Sequence, residues 1–520
     1  MINATTKNEI QAALQTQNFD RAALIAESAL ANGQSHETLY RLAALRRQEL
    51  GDLAGAADLL LEAVQLSPND PAILTAAADA LRQMGRLQHS MLLFDDALAR
   101  DQRMVAAWYG RALAFEAAGS LDEARQSYQR VTELSPDTAP GFAGLSTTNA
   151  QLGQLDAARR FATQAWKLAP NDPAACMALA RCEMADGNLD RAVQLLRQTA
   201  QDQVDVLTLL GDALDRLGHF DDAYDAYAAA NRCFADLHGA SGVSVAMRER
   251  LINMERAVAT LDPIAWAMLS SGSGRVANHV FLLGYPRSGT TLVEQALASL
   301  PAVVTLEETG TLDDAQAFLT GEGILRLARL SDAELNFLRA AYWRRVAETG
   351  IDVAGKTFVD MDPSKSMGLP AIARLFPDAK IVIMRRDPRD VVWSCFRRAF
   401  VYSPMTLEFA SLERAALHYD AVMRLTQACI SVFPLNKHVL HYEELVRDFD
   451  ATTKGLCAFL GIPWSAAMKD FGSTAQLGRV KTASAAQVRG ALFDGSGQWR
   501  NHADKLEPIL PILEPWIDKE

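Results

Sequence analysis

A helical solenoid followed by an α/β domain with a parallel sheet is the architecture this sequence predicts. Three observations carry the prediction. A 34-residue repeat runs through residues 1–233. Apolar, β-rich runs alternate with helical segments through residues 275–520. One of those runs ends in a glycine-hinged loop that leads into a helix, Gly284-Tyr-Pro-Arg-Ser-Gly-Thr-Thr291. A strand, a tight loop and a helix start in that order make a ready anion site.

The repeat is read from one position. Gln17, Gly51, Gly85, Gly119, Gly153 and Gly187 are spaced by 34, and Gly218 follows after 31. Two residues after each comes an apolar residue: Phe19, Leu53, Leu87, Leu121, Leu155, Leu189 and Phe220. Five residues after each comes a small one: Ala22, Ala56, Ser90, Ala124, Ala158, Ala192 and Ala223. Larger residues such as Phe94, Tyr128 and Tyr227 recur four places further on. Each unit therefore reads as two amphipathic helices around a tight turn. Small residues let the helices approach and large ones fill the gaps between hairpins. The pattern resembles a tetratricopeptide array of about seven hairpins. Such arrays bind polypeptide segments or mediate self-association, so a polypeptide in the groove and a homo-oligomer are the partners this resemblance implies.

The repeat fades after Asn231. Gly239-Ala-Ser-Gly242 and Ser270-Ser-Gly-Ser-Gly274 read as turns or linkers, with a helix over Val243–Leu261 between them. Residues 234–274 are thus a helical linker that docks the array on residues 275–520. Beyond it, Val280–Leu283, Thr357–Val359, Lys380–Met384 and His438–Tyr442 read as strands of a parallel sheet covered on both faces.

Composition narrows the function classes. The chain of 520 residues is long enough for more than one domain. Its net charge of −12 argues against a general nucleic-acid binder. Six scattered cysteines without a C-x-x-C pair read as reduced thiols rather than a disulfide framework or a zinc site, so no metal is expected. No signal peptide is visible at the start and no apolar run reaches the length of a membrane span, so the expected location is the cytoplasm.

The loop is close to the phosphate-binding pattern G-x-x-x-x-G-K-[ST], but Thr290 stands at the lysine position and Arg287 supplies the charge from inside the loop. That points to an anionic nucleotide handled without the usual lysine and magnesium, and it opposes a kinase. A second anion site follows at Ile381-Val-Ile-Met-Arg385-Arg386-Asp387-Pro388, where Asp387 or Pro388 opens a helix that carries Ser394. Between Lys380 and Arg398 six basic residues face two acidic ones, a local excess of +4 in an acidic chain.

These two motifs together resemble the sulfotransferases that use 3′-phosphoadenosine 5′-phosphosulfate (PAPS). That family carries a 5′-phosphosulfate loop of the form P-[KR]-S-G-T-T, here Pro286, Arg287, Ser288, Gly289, Thr290 and Thr291. It also carries an Arg and a Ser eight residues apart at the 3′-phosphate, here Arg386 and Ser394. Tyr442 in His441-Tyr-Glu-Glu-Leu445 resembles the tyrosine that packs near the nucleotide. Thr482-Ala-Ser484, Arg489 and Ser496-Gly-Gln-Trp-Arg500 resemble the blocks that close over it.

With the repeats, the whole chain resembles a bacterial tetratricopeptide-repeat sulfotransferase whose catalytic half is related to the tyrosylprotein sulfotransferases. The implied fold is multidomain, an all-α solenoid followed by a P-loop-like α/β domain. The implied reaction moves a sulfuryl group from PAPS to an acceptor hydroxyl, leaving adenosine 3′,5′-bisphosphate (PAP) as product.

The resemblance also assigns roles. Glu308, in Leu306-Glu-Glu-Thr309, is the implied general base, with Glu307 beside it as the alternative. Small-molecule sulfotransferases use a histidine there, and none occurs between Val280 and Leu417. Arg287 is implied at the transferring group, Gly289 to Thr291 at the 5′-phosphate, Arg489 at the 3′-phosphate and Ser484 near the reacting oxygens. One departure stands out: relatives carry a lysine where this chain has Met361, with Lys356 and Lys365 as substitutes. An adaptor with a catalytically weak, nucleotide-binding domain is the alternative that this departure raises.

Overall fold

The computed structural model describes residues 2–199, 202–239, 243–262, 266, 276–472 and 492–517. They form two compact units, Met1–Gln201 and Asp202–Glu520.

The first unit is six helical hairpins, from Ala4–Gln15 with Phe19–Ala31 to Pro173–Ala185 with Leu189–Arg197. The repeating turn position has left-handed backbone throughout, with φ of 77° at Gly51, 73° at Gly85 and 76° at Gly153. Glycine meets no Cβ clash in that conformation, which is why it recurs there. Gln17 adopts it too, at φ 55°. The small residues Ala22, Ala56, Ser90, Ala124, Ala158 and Ala192 are all buried. Ser90 satisfies its hydroxyl by donating to the Ala78 carbonyl at 2.7 Å. The large residues pack against glycines of the next hairpin. A Cβ added at Gly110 would lie 2.4 Å from the Phe94 ring, and one at Gly144 2.3 Å from Tyr128. Small and large residues thus interlock between successive hairpins, as the repeat physics requires.

The second unit begins with a further hairpin, Val204–Leu217 and Phe220–His238, followed by the helix Val243–Ala259. Next come five strands: β1 (Asn278–Leu283), β2 (Val303–Glu307), β3 (Thr357–Met361), β4 (Lys380–Arg385) and β5 (Asn436–His441). All their pairings are parallel, in the order β2-β3-β1-β4-β5. The two-residue alternation sends Val280 and Leu282 into one core, with Val359, Val382 and Leu440 and the helix residues Leu292, Val293 and Ala296. His279, Phe281 and Phe358 go to the other face, among Tyr342, Trp343 and Phe376. Burying each such apolar side chain contributes about 1.5–3 kcal/mol, which fixes the register of the strands that carry the site. Among the described residues no helix is long and apolar enough to cross a membrane.

Candidate functional site

The strand order locates the crevice. The chain leaves β1 toward β2 on one side of the sheet and leaves β4 toward β5 on the other. The carboxyl ends of β1 and β4 therefore flank the point where connections diverge, the place where open α/β sheets bind ligands. The loop 284–289 leaves β1 there, and Arg386 follows β4 there.

The loop is held in one shape. Gly284 donates its N–H to Ser366 Oγ at 3.0 Å, and the Ser366 hydroxyl donates back to the Gly284 carbonyl at 2.6 Å. A Cβ on Gly284 would lie 2.6 Å from Ser288 Oγ and 3.0 Å from the Met384 carbonyl, so no larger residue fits. Arg287 takes φ 71°, a strained value for a residue with a side chain, and Gly289 takes φ 106°. The helix Thr290–Ala298 opens directly after, bringing its amino-terminal dipole to the crevice.

Guanidinium groups crowd this spot. Arg287, 8% exposed, donates from Nε to Ser394 Oγ at 3.0 Å. Arg386 donates to the Arg287 carbonyl at 3.0 Å and to the Gly495 carbonyl at 2.6 Å. Its guanidinium lies 4.5 Å from the centre of the Tyr442 ring. Burial, and then Arg398, Arg386 and Arg397 nearby, push the Arg287 pKa down to about 9, still a cation at neutral pH. Two buried donors aimed at this neighbourhood, Ser288 Oγ and Arg386 Nε, have no hydrogen-bond partner. Unsatisfied buried donors amid repelling cations are suited to an anionic ligand.

A carboxy-terminal segment covers the same spot. Tyr442 donates its hydroxyl to the Phe493 carbonyl and accepts from the Gly495 N–H, both at 3.1 Å. Asp390, fully buried on the helix Pro388–Phe396, accepts from the N–H groups of Gly497 at 2.6 Å and Trp499 at 3.1 Å. The Arg389 guanidinium stacks 4.1 Å from the Trp499 ring.

The acidic side lies at the end of β2. Glu308 follows Glu307 with φ 37° and donates its N–H to the Met361 carbonyl at 2.8 Å. Protein crowds the Glu308 carboxyl on most sides, although its residue surface stays exposed at the mouth. Loss of water first, then Asp362 and Glu307, push its pKa up to about 7, against the pull of Arg287 and Lys365. Solvent at the open side tempers the desolvation, while the two neighbouring carboxyls, Asp362 and Glu307, push in the same upward direction. Lys365 is buried in an ion pair with Asp360, which also accepts from Thr311 at 2.7 Å and Tyr342 at 2.9 Å. A cleft of about 300 Å³ adjoins this edge, lined in part by Gly310, Leu312, Asp362, Lys365 and Met254.

A sulfotransferase family model matches residues 279–466, and tetratricopeptide-repeat models match residues 8–71, 75–139 and 150–205. The chain carries tetratricopeptide repeats and a sulfotransferase-family domain. An uncharacterised protein of Aquifex aeolicus is 24% identical over 71% of this chain and 49% of its own length. Protein-tyrosine sulfotransferase 1 of Danio rerio is 28% identical over 36% of this chain and 54% of its own. Protein-tyrosine sulfotransferase A of Caenorhabditis elegans is 28% identical over 37% of this chain and 52% of its own. The chain thus spans about half the length of these curated relatives.

Within the sulfotransferase-family domain most of the residues singled out from sequence converge. Pro286 to Thr291, Arg386, Ser394 and Tyr442 share one neighbourhood, and Glu308 lies within electrostatic reach of Arg287. Arg386 and Ser394 meet through Arg287 rather than directly. Ser484 and Arg489 lie outside the described residues. Met361 is wholly buried in the core, and Lys356 precedes β3 at the opposite end of the sheet from the loop. Lys365, at the carboxyl end of β3, is therefore the lysine beside Glu308.

Sequence reasoning missed three contributors. Ser366 braces the loop, and the Gly495 carbonyl takes an Arg386 donor. Glu294 is the third, fully buried on the loop helix, its pKa raised to about 7 by burial and then by Glu307. A glutamate in an otherwise apolar run, Leu292-Val-Glu-Gln-Ala-Leu297, was the available signal for the last.

Proposed function

We propose that this protein transfers the sulfuryl group of PAPS to an acceptor hydroxyl. One observation carries the reading: the buried donors Ser288 Oγ and Arg386 Nε lack partners beside the Arg287 loop, while a base-tuned Glu308 stands at the next strand end. A nucleotide with phosphate groups at both ends of its ribose fits two cationic sites at one crevice. The 5′-phosphosulfate belongs on the loop and helix start, at Gly289, Thr290 and Thr291. The 3′-phosphate belongs near Arg386 and Ser394, and Tyr442 holds Arg386 in place.

The chemistry follows from those positions. The acceptor O–H gives its proton to the Glu308 carboxylate as the acceptor oxygen bonds to sulfur. The bond from sulfur to the 5′-phosphate oxygen breaks, and the leaving phosphate takes the charge. Arg287 and the helix start stabilise that charge, which exists only once the bond is breaking. Among the described residues no group of three or more His, Cys, Asp or Glu side chains is placed to hold a metal ion. The names of the relatives point to a tyrosine hydroxyl on a polypeptide as acceptor, and the repeat array supplies a surface to present it. The adaptor reading rests on buried Met361, and Lys365 next to Glu308 weighs against it.

Mass spectrometry of purified protein with PAPS and a set of tyrosine peptides and small phenols tests the proposal. Sulfated product from the wild type, and far less in the same time from Glu308→Ala, is expected. PAPS that binds but is never consumed would favour the adaptor.

A further inference from the structure

The hairpin Val204–His238 continues the repeat pattern in sequence, yet its side chains are bound into the donor side of the sulfotransferase-family domain. Tyr227 sets its ring edge-on to Trp393 at 5.8 Å, one residue before Ser394. Its hydroxyl donates to Asp212 at 2.8 Å, and Asp212 also pairs with Arg398 at 3.3 Å. Tyr224 stacks on Phe396 at 5.4 Å, and Asn231 donates to the Phe396 carbonyl at 2.7 Å.

One carboxylate stands at the centre. Asp215 accepts from Arg397 Nη1 at 3.2 Å and pairs with His502 Nε2 at 2.8 Å. Arg397 is 9% exposed and His502 1%. The second arm of Arg397 donates to Gln498 Oε1 at 2.8 Å. Gln498 lies between Gly497 and Trp499, whose N–H groups Asp390 holds, and Gly495 just before them accepts from Arg386. Hydrogen bonds at its two ends, joined by the backbone of residues 495–498, thus link the last repeat hairpin to the guanidinium cluster around Arg287. The His502 ring, stacked 3.9 Å from Trp393, closes the same circuit from the other side.

We infer that Asp215 is a positioning residue for the donor nucleotide: through Arg397, Gln498 and His502 it holds segment 495–502 against Arg386, so the last repeat hairpin forms part of the donor site. This rests on the reading of the crevice as the PAPS site. A carboxylate beside an anion site has an electrostatic effect of its own, and its sign is opposite. Removing a negative charge favours a bound anion at every distance. Positioning therefore predicts weaker binding in Asp215→Asn, and pure electrostatics predicts tighter binding.

The test is calorimetric titration of the full chain with PAP, joined to hydrogen exchange of the ligand-free proteins. Asp215→Asn should weaken PAP by about tenfold, the low end for loss of a charged hydrogen bond. Amide protection should fall across 495–502 while the hairpin keeps its own. Gln498→Ala cuts the path with no change of charge and should weaken PAP similarly, which keeps the test valid if Asp215→Asn fails to fold. Asp221→Ala, on the same hairpin but away from the path, removes a pair with Lys505 and should not weaken PAP binding. Unchanged or tighter binding in Asp215→Asn, or in Gln498→Ala should Asp215→Asn fail to fold, overturns the inference. So does equal weakening in Asp221→Ala. If the wild type binds no PAP, the nucleotide reading fails, and exchange across 495–502 still decides the positioning role.

Discussion

The buried polar residues of the unit Met1–Gln201 include Ser90, Ser127, Ser146, Thr148 and Asn149, all neutral. Those of the unit Asp202–Glu520 include Arg287, Glu294, Asp360, Lys365, Arg374, Asp390, Arg397 and Glu408, all ionisable. Among the described residues of the first unit no Lys, Arg, Asp or Glu is comparably buried. The array resembles a packing problem solved repeatedly, with hydroxyls returned to nearby carbonyls, as Ser90 does to Ala78. The second unit accepts the cost of desolvating charge, which is several kcal/mol per unpaired ion. Several of those charges meet partners inside the unit, as Lys365 meets Asp360 and Arg397 meets Asp215, so the second unit organises its buried polar groups as ion pairs where the array uses neutral hydroxyls.

The largest effect should come from cutting the chain at two places in the same repeat array. A protein starting at Asp202 keeps the hairpin that carries Asp215, Tyr227 and Asn231, and should bind PAP like the full chain. One starting at Gly239 loses those contacts and exposes Trp393 and Phe396, and should lose PAP binding altogether in calorimetry. If the shorter protein binds as well as the longer, the last hairpin is an ordinary repeat and the contrast between units moves downstream.

Turnover is the next test. Glu308→Ala should lower it by roughly 10²–10⁴, the range for a general base. The base must be deprotonated to act, and its pKa is pushed up to about 7 by burial, Asp362 and Glu307. Activity should therefore climb with pH up to about 7 and level off above. A profile that instead falls across that range would make Glu308 an acid, and normal turnover in Glu308→Ala with loss in Glu307→Ala would move the role to its neighbour.

Met361 sharpens the contrast from the other direction. It is fully buried among Val280, Leu282 and Met384, so Met361→Lys should destabilise the fold by about 3 kcal/mol or more in denaturant unfolding, without raising turnover. A stable, faster Met361→Lys enzyme would show that this position opens to the reacting group.

Periodicity made the array legible, because one register of small, large and turn residues had to satisfy every copy. The loop at Gly284–Thr291 and the acidic Glu307-Glu308 pair were legible because each is local: a handful of consecutive residues encodes the geometry. The Asp215–Arg397–Gln498 path was not. Its members come from three separate stretches of chain, and Asp215 occupies an exposed-looking position in an ordinary amphipathic helix, Val204–Leu217. The placement of Met361 was not legible either, because it follows from the strand register. That register buries Met361 beside Leu282, and Lys365, in the short helix that follows β3, acts electrostatically on Glu308.

The smallest effect belongs to the array. Gly153→Ala, at φ 76° with open space around it, should cost about 1 kcal/mol of backbone strain in thermal unfolding and leave PAP affinity untouched. A change in PAP affinity there would mean that the two units share more than this account allows.

The proposed sulfate donor nucleotide belongs in the crevice between β1 and β4 and should need no metal there. Calorimetric titration in a chelator tests it most directly. PAP should bind, and Arg386→Ala should weaken it by about 1.5–3 kcal/mol, the range for hydrogen bonds to charged groups. ATP should compete poorly whether or not magnesium is supplied. Equal binding of ATP with a strict magnesium requirement, or PAP binding indifferent to Arg386→Ala, would contradict the account.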